Sequence, residues 1–310
     1  MQTATAQPAT AQPALAVQGI WKRFGTNMAV RDVSFSVHPG EILAVVGPNG
    51  AGKTTSIRIS LGIVQPLQGV VKVMGEPMNA RSQEKIGYLP EERGLYRGRT
   101  IPDTLAFLGE LKGLGRAEAI KQGDAWLERL GMLPHRTKKI GELSHGMAQL
   151  VQFSATLMHS PSLVVLDEPF TALDPVNARL IKDVILELQA KGTAVVLCTH
   201  QMHQVEELCD NVVMINRGTV VLDGAVKEIK RNYKSDTLYV VANPPPKGLK
   251  GVTNIRQDGN GYLMNVESGV APRSILQQLV EQDCNVERFE VVLPTMEEIF
   301  VNVVRASREE

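Results

Sequence analysis

Short, unbroken apolar runs recur along the chain: Ile42-Leu43-Ala44-Val45-Val46, Leu163-Val164-Val165-Leu166, and the stretch from Thr193 to Thr199. A run that brief with no polar face predicts a strand buried on both sides of a parallel sheet. Ala16 to Ile20 and Val33 to Val37 read as strands around the turn signal Gly25-Thr26-Asn27, with Trp21 taken as core. Gly69 to Val73 is a further strand, and Ile86-Gly87-Tyr88-Leu89 leads into a charged Pro/Gly loop from Pro90 to Tyr96. The period then changes. Leu105, Phe107, Leu108 and Leu111, followed by Ile120, Trp126, Leu127 and Leu130, recur at helical spacing. A second helix opens near Glu142 and runs to Met158. The order predicts an α/β core interrupted by a helical insert, over about 98 to 160.

After Gly224 the pattern changes again. Val226 to Tyr233 reads as a basic helix, Ser235 to Val241 as a strand, and Asp258-Gly259-Asn260-Gly261 as a hairpin turn. Ile275, Leu276, Leu279 and Val280 give one amphipathic helix; Thr295 and Glu298 form a capping box before Ile299, Phe300, Val303 and Val304. These predict a domain at 15–231 and a small α+β domain at 232–310 with no catalytic constellation of its own. Met1 to Ala14, made of Ala, Thr, Gln and Pro, reads as a disordered tail.

Composition narrows the chemistry. Lys+Arg and Asp+Glu both number 33, so no overall basic footprint invites nucleic acid, and none is expected as a partner. Cys198, Cys209 and Cys284 make no Cys-x-x-Cys pair, which points to reduced thiols rather than zinc or a disulfide framework. No apolar stretch reaches the length of about 18 residues that a membrane span requires.

The strongest local signal follows the first apolar run. Gly47-Pro48-Asn49-Gly50-Ala51-Gly52-Lys53-Thr54-Thr55 is G-x-x-x-x-G-K-[ST] between a strand and a helix. The glycines let backbone N–H groups turn inward onto phosphate oxygens, and the following helix adds the positive end of its dipole. Lys53 is placed to reach the β- and γ-phosphates of a nucleotide, and the Thr54 hydroxyl to ligate Mg²⁺. Phe24, just before the early turn, either stacks on adenine or is a half-buried strand-end aromatic. The run at Leu163 ends in Asp167-Glu168, at the edge where an open α/β sheet places its ligands, and the run at Thr193 is followed by His200.

From Ala16 to about Arg231 the chain resembles the ATP-binding cassette family. Leu143-Ser144-His145-Gly146-Met147 resembles the signature segment, Leu166-Asp167-Glu168-Pro169 the second phosphate-binding motif with its glutamate, Ala172-Leu173-Asp174 the aspartate loop, and His200 the switch histidine. Tyr88 to Tyr96 resembles the sodium-export subgroup, and 232–310 an accessory C-terminal domain found in part of the family.

The resemblance implies a phosphate-loop NTPase of ABC type: a mixed-sheet core plus helical subdomain, with a small C-terminal α+β domain. It implies an ATPase that binds ATP and Mg²⁺. Phe24 and the residues from Gly47 to Thr55 would hold nucleotide; Thr54, Asp167 and Glu91 would serve the metal; Glu168 would act as general base, with His200 and Lys53 at the γ-phosphate. Leu143 to Met147 would meet the nucleotide of a second copy, with Asp174 in the dimer loop, so a homodimer around two ATP is implied.

Two departures from the family pattern stand out: Glu91 replaces the usual glutamine, and Met147 replaces the glutamine that ends the signature. His38, His135, His159 and His203 read as surface residues, and His145 as a variable signature position. The implied role is the ATP-hydrolysing subunit of an exporter for sodium, another cation or a drug. It would sit at the inner face of the membrane through a separate transmembrane permease. The alternatives are a non-transport ATPase acting on nucleic acid or ribosomes, and an ATP-binding regulatory module.

Overall fold

The computed structural model describes residues 12–92, 94–233, 236–267 and 269–309. Most of the tail reading lies outside the described residues. Its last member, Ala14, is fully buried and hydrogen-bonded through its backbone to Val37 and Met74, which places it in the sheet rather than in a tail.

The strands β1 (Leu15–Phe24) and β2 (Asn27–Val37) pair antiparallel and run longer than the sequence pattern predicts, because bulges along the pair break their alternation. Trp21 on β1 is half-buried rather than core. The buried β3 (Ile42–Val46) feeds the helix α1 (Lys53–Ser60); β4 (Gln68–Val73) and the short β5 (Glu76–Pro77) complete a first sheet in the order β2-β1-β4-β5. A one-turn helix, α2 (Ala80–Glu84), precedes β6 (Ile86–Leu89).

The helical insert comes next: α3 (Ile101–Glu110), α4 (Arg116–Arg129) and α5 (His145–Leu157). Thr100 caps α3 by accepting from the Asp103 N–H at 3.3 Å, with Pro102 in the first turn, where a missing N–H costs nothing. The helices come close at two glycines. A Cβ at Gly109 would stand 2.3 Å from that of Ala119, and one at Gly123 would stand 2.8 Å from Leu105.

The chain then alternates: β7 (Leu163–Asp167), α6 (Pro175–Ala190), β8 (Ala194–Cys198), α7 (Met202–Leu208), β9 (Asn211–Asn216) and β10 (Thr219–Ala225). The second sheet has the order β10-β9-β3-β8-β7-β6, parallel except for β9 with β10, so it is mixed. Every residue of β3, β7 and β8 is buried, which is what their unbroken apolar runs require. Side chains of both sheets, among them Ile20, Phe35, Val45 and Val196, share one apolar core.

The remaining elements are α8 (Val226–Asn232), β11 (Thr237–Asn243), β12 (Val252–Asp258), β13 (Gly261–Val266), α9 (Pro272–Glu281), β14 (Asn285–Val291) and α10 (Met296–Glu309). They form an antiparallel sheet ordered β12-β13-β11-β14, with Gly259-Asn260 closing the β12–β13 hairpin, and a separate core around Leu238, Val240, Met264, Ile275 and Leu279. The capping box is formed: Thr295 Oγ1 accepts from the Glu298 N–H at 3.2 Å, and Glu298 Oε2 from the Thr295 N–H at 2.8 Å. By contact clustering the chain divides into one unit that runs to Val226 and takes in Val303–Glu310, and a second, Lys227–Asn302.

Candidate active site

At the end of β3 the backbone turns through Gly47 (φ 152), Gly50 (φ 76) and Gly52 (φ 105) before α1 begins. A Cβ at Gly47 would lie 2.0 Å from the Ile215 carbonyl oxygen, and one at Gly52 would lie 2.5 Å from that of Ala29, so neither position admits a side chain. Lys53 folds back over this loop, its Nζ donating to Gly47 O at 2.7 Å and Pro48 O at 3.0 Å. Beside it opens a cavity of about 560 Å³ that takes in Gly50 to Thr55, Phe24 and the turn at Arg217-Gly218. Phe24 is 51% exposed, with the Lys22 ammonium 5.3 Å from its ring centroid. A ring that is half open in the mouth of a cavity presents a face to a planar ligand.

The order β3-β8-β7-β6 carries the remaining candidates to the same carboxyl edge: the loop after β3, His200 after β8, Asp167 and Glu168 at the end of β7, and Glu91 after β6. Glu168 is 9% exposed and sits at φ 49, with its N–H donating to Cys198 O at 2.9 Å. Its Oε1 accepts from the His200 N–H at 2.9 Å and lies 2.7 Å from His200 Nδ1, while Oε2 accepts from Thr199 Oγ1 at 3.3 Å. The His200 side chain is itself 65% exposed. One buried carboxylate is thus held by groups from the next strand, with the histidine open to whatever enters.

Asp167 is buried, and this desolvation raises its carboxyl above the ordinary range. The Cys198 thiol opposes the shift by hydrogen bonding, the charges of Glu91 and Glu168 add to it, and Lys53 opposes it. Burial also pushes the Cys198 thiol well up. Acidic groups therefore crowd beside a single lysine, an arrangement that gains from an added cation.

The signature residues stand apart from this edge. Ser144 caps α5, its Oγ accepting from the Met147 N–H at 3.2 Å, and Ser144 and His145 are exposed. Gly146 packs so closely on the Ala172 carbonyl that a Cβ would stand 3.1 Å away, and Ala172 is at φ 65. Asp174 caps α6, accepting from the Val176 and Asn177 N–H groups at 2.9 and 3.0 Å. The Asn177 backbone and side chain hold its carboxyl below the usual range. None of Leu143 to Met147 lines the phosphate-loop cavity.

Sequence reasoning missed Thr199 and Cys198, which orient the two carboxylates, and Arg217-Gly218, which walls the cavity. The first two end a predicted strand and are the polar residues there, a usable signal. The Arg217-Gly218 turn carries none. Of the four histidines read as surface residues His203 is exposed, whereas His38, His135 and His159 are partly buried; for His159 the reason is local to β6, its Nε2 meeting the Ile86 carbonyl at 3.2 Å.

A nucleotide fits what is present: a cradle closed to any Cβ, an ammonium at its mouth and an open aromatic face. A Mg²⁺ ion fits in part. Among the described residues no cluster of three or more His, Cys, Asp or Glu could hold a metal, so the chain supplies only some of the ligands. The Thr54 hydroxyl with the Asp167 and Glu91 carboxylates are hard oxygen donors of the type Mg²⁺ takes alongside phosphate oxygens.

Comparison with known proteins agrees. A family model described as ABC transporter matches residues 30–171, and one described as ATP-binding protein DrrA1-3-like, C-terminal domain, matches residues 224–304. An uncharacterized ABC transporter ATP-binding protein of Alkalihalophilus pseudofirmus is 39% identical over 263 residues, spanning 84% of this chain and 98% of its own. A linearmycin resistance ATP-binding protein of Bacillus subtilis is 29% identical over 303 residues, spanning 93% and 97%. A solved ATP-binding subunit of an ABC transporter superposes with a TM-score of 0.67 at 28% identity, over 71% of this chain and 93% of that one.

Proposed function

From the premise that the chain belongs to the ATP-binding subunits of ABC transporters, we propose that it hydrolyses ATP as a homodimer and drives a separate membrane-spanning exporter. The observation that carries the hydrolytic reading is the Glu168 carboxylate, fixed by Thr199 and His200 one strand away from the phosphate loop.

In the proposed reaction the nucleotide lies along the cavity with adenine on Phe24 and its phosphates against the N–H groups from Asn49 to Thr55. Lys53 leaves the Gly47 and Pro48 carbonyls for the phosphate oxygens, a move within reach of its long flexible stem. Water attacks the γ-phosphorus, Glu168 takes its proton, and the bond to the ADP oxygen breaks. Such a base contributes about 10²–10⁴-fold. His200, hydrogen-bonded to Glu168 and open on its other side, holds the γ-phosphate or the water. Thr54, Asp167 and Glu91 would hold Mg²⁺, which when bound offsets phosphate charge. Leu143 to Met147, Ser144 and Gly146 above all, act on the nucleotide of a second copy, and the Asp174 loop lies at the seam.

No helix among the described residues is long and apolar enough to cross a membrane; in the proposed assembly a separate permease makes the crossing, and this subunit works at the inner face beside it. Export is favoured by the linearmycin resistance relative. Cation and drug efflux are the cargo classes proposed.

The test is pull-down of the full-length chain from native membranes, with and without ATP, alongside phosphate release. Recovery of a polytopic membrane protein together with turnover supports the reading. Turnover with ribosomes or DNA and no membrane protein overturns the transport part, and no turnover overturns the enzymatic part.

A further inference from the structure

The hairpin that joins β9 to β10 turns on two residues, Arg217 and Gly218, between the paired Asn216 and Thr219. Both central residues are left-handed, at φ 48 and φ 82, as the favoured two-residue hairpin turn requires. Glycine takes that conformation freely. Arginine takes it at a cost, and needs neighbours that hold it there.

On one side the turn is fastened to the phosphate loop. The Gly218 N–H donates to Ala51 O at 2.8 Å, and Gly218 O accepts from the Arg31 N–H at 2.7 Å. A Cβ at Gly47 would lie 2.0 Å from Ile215 O, and one at Gly52 would lie 3.5 Å from the Gly218 Cα. Loop and turn therefore meet backbone to backbone, with no side chain between them to absorb a shift. Arg217 and Gly218 also wall the nucleotide cavity.

On the other side the turn is fastened to the end of α10, which from Val303 onward belongs to the same compact unit as the phosphate loop. Asn216 is 7% exposed and donates from Nδ2 to Ser307 Oγ at 2.6 Å. The Arg217 guanidinium donates from Nη1 to Ser307 O at 3.3 Å. The Ser307 hydroxyl directs its own proton to Val304 O at 3.0 Å, which leaves a lone pair to accept from the Asn216 amide.

We infer that the end of α10 is a positioning element of the nucleotide site: Ser307 holds the Asn216-Arg217 turn, and through it Ala51 and the cavity wall, in the shape that receives the nucleotide. The inference rests on the reading of the cavity as a nucleotide site, and adds a residue from an element outside it. The effect falls on binding rather than on the chemical step. With Ser307 in place the free chain keeps the turn ordered, and the nucleotide meets a preformed wall. Without it the buried Asn216 amide loses its acceptor and the turn loosens in the free chain. Only the ordered fraction then binds, so the apparent affinity falls by that fraction. The same coupling runs in reverse, and bound nucleotide strengthens the docking of the α10 end.

The full-length chain is titrated with a fluorescent ATP analogue and Mg²⁺, and hydrogen exchange of the amides from Val303 to Ser307 is followed with and without the analogue. Ser307→Ala is expected to bind about fivefold more weakly, raising KM while turnover at saturating ATP stays near wild type. Ser307→Thr, which keeps the hydroxyl, should restore the affinity. The analogue should slow exchange over these amides in the unmodified chain by a similar factor, and leave it unchanged in Ser307→Ala.

Unchanged affinity in a folded Ser307→Ala, even with a lower melting temperature, marks a merely structural contact and overturns the inference. Exchange at the α10 end that is indifferent to nucleotide overturns it as well, and that measurement on the unmodified chain holds whether or not the variant folds. Failure of the unmodified chain to bind the analogue removes the nucleotide reading and this inference with it. Binding that Ser307→Ala matches removes only the role of α10.

Discussion

A glutamate at φ 49 costs backbone energy of about 1 kcal/mol, and Glu168 is held there by its N–H bond to Cys198 and by the donors on its carboxylate. Glutamine keeps the size of that side chain and an acceptor oxygen for the His200 N–H, but cannot take a proton. Glu168→Gln should therefore lower turnover by about 10²-fold or more while nucleotide binding stays near wild type, read by phosphate release and by equilibrium binding of a labelled ATP analogue. Unchanged turnover would assign the base elsewhere. Much at this scale is legible in the sequence, because Gly47, Gly52 and Lys53 act through backbone shape and one charge at a fixed spacing. Thr199 and Cys198 are less legible. Their roles come from lying beside Asp167 and Glu168 across two paired strands, a relation that no local pattern carries.

At the scale of elements, the buried runs of β3, β7 and β8 and the turn at Gly259-Asn260 follow from patterns of two or fewer residues' reach, and they are found where those patterns put them. His159 does not follow. Leu157-Met158-His159-Ser160 reads as an exposed helix end, and only the carbonyl of Ile86 on β6 draws the ring inward. That burial, with the Lys112 charge beside it, lowers its pKa from the usual 6.5 to about 4.

The sign of the stability effect follows from that depression. The unfolded chain binds the proton at higher pH than the folded one, so the stabilisation is whole above about pH 6.5 and is lost as pH falls toward about 4. Discounted for the solvent the ring still meets, the loss is about 2 kcal/mol. Chemical denaturation at a series of pH values should show this slope, and His159→Gln should flatten it. A slope unchanged by the substitution would mean that other groups, the carboxylates foremost, carry the acid sensitivity.

At the scale of the whole molecule, the proposed homodimer requires that one chain hold only half of a closed nucleotide site. The phosphate loop, Glu168 and His200 share one sheet edge, but Ser144 and Gly146 lie at the start of α5, outside the cavity that this loop lines. Ser144 and His145 are exposed with nothing of this chain's nucleotide cavity before them. A second copy related by a two-fold axis would set each exposed α5 start over the other's phosphate loop, so both sites close together or not at all. ATP would then stabilise the dimer by binding it better than the monomer, and hydrolysis would release it. Glu168→Gln, expected to bind ATP while turning over far more slowly, should trap that state: monomer without nucleotide and dimer in saturating ATP, measured by light scattering on a sizing column. Ser144→Arg in the same background adds bulk and charge at the seam without touching the cavity. It should keep ATP binding in the single chain and abolish the dimer. If Glu168→Gln stays monomeric in saturating ATP, or Ser144→Arg dimerises as before, the two copies do not meet through α5, and the catalytic assembly must be built on another surface.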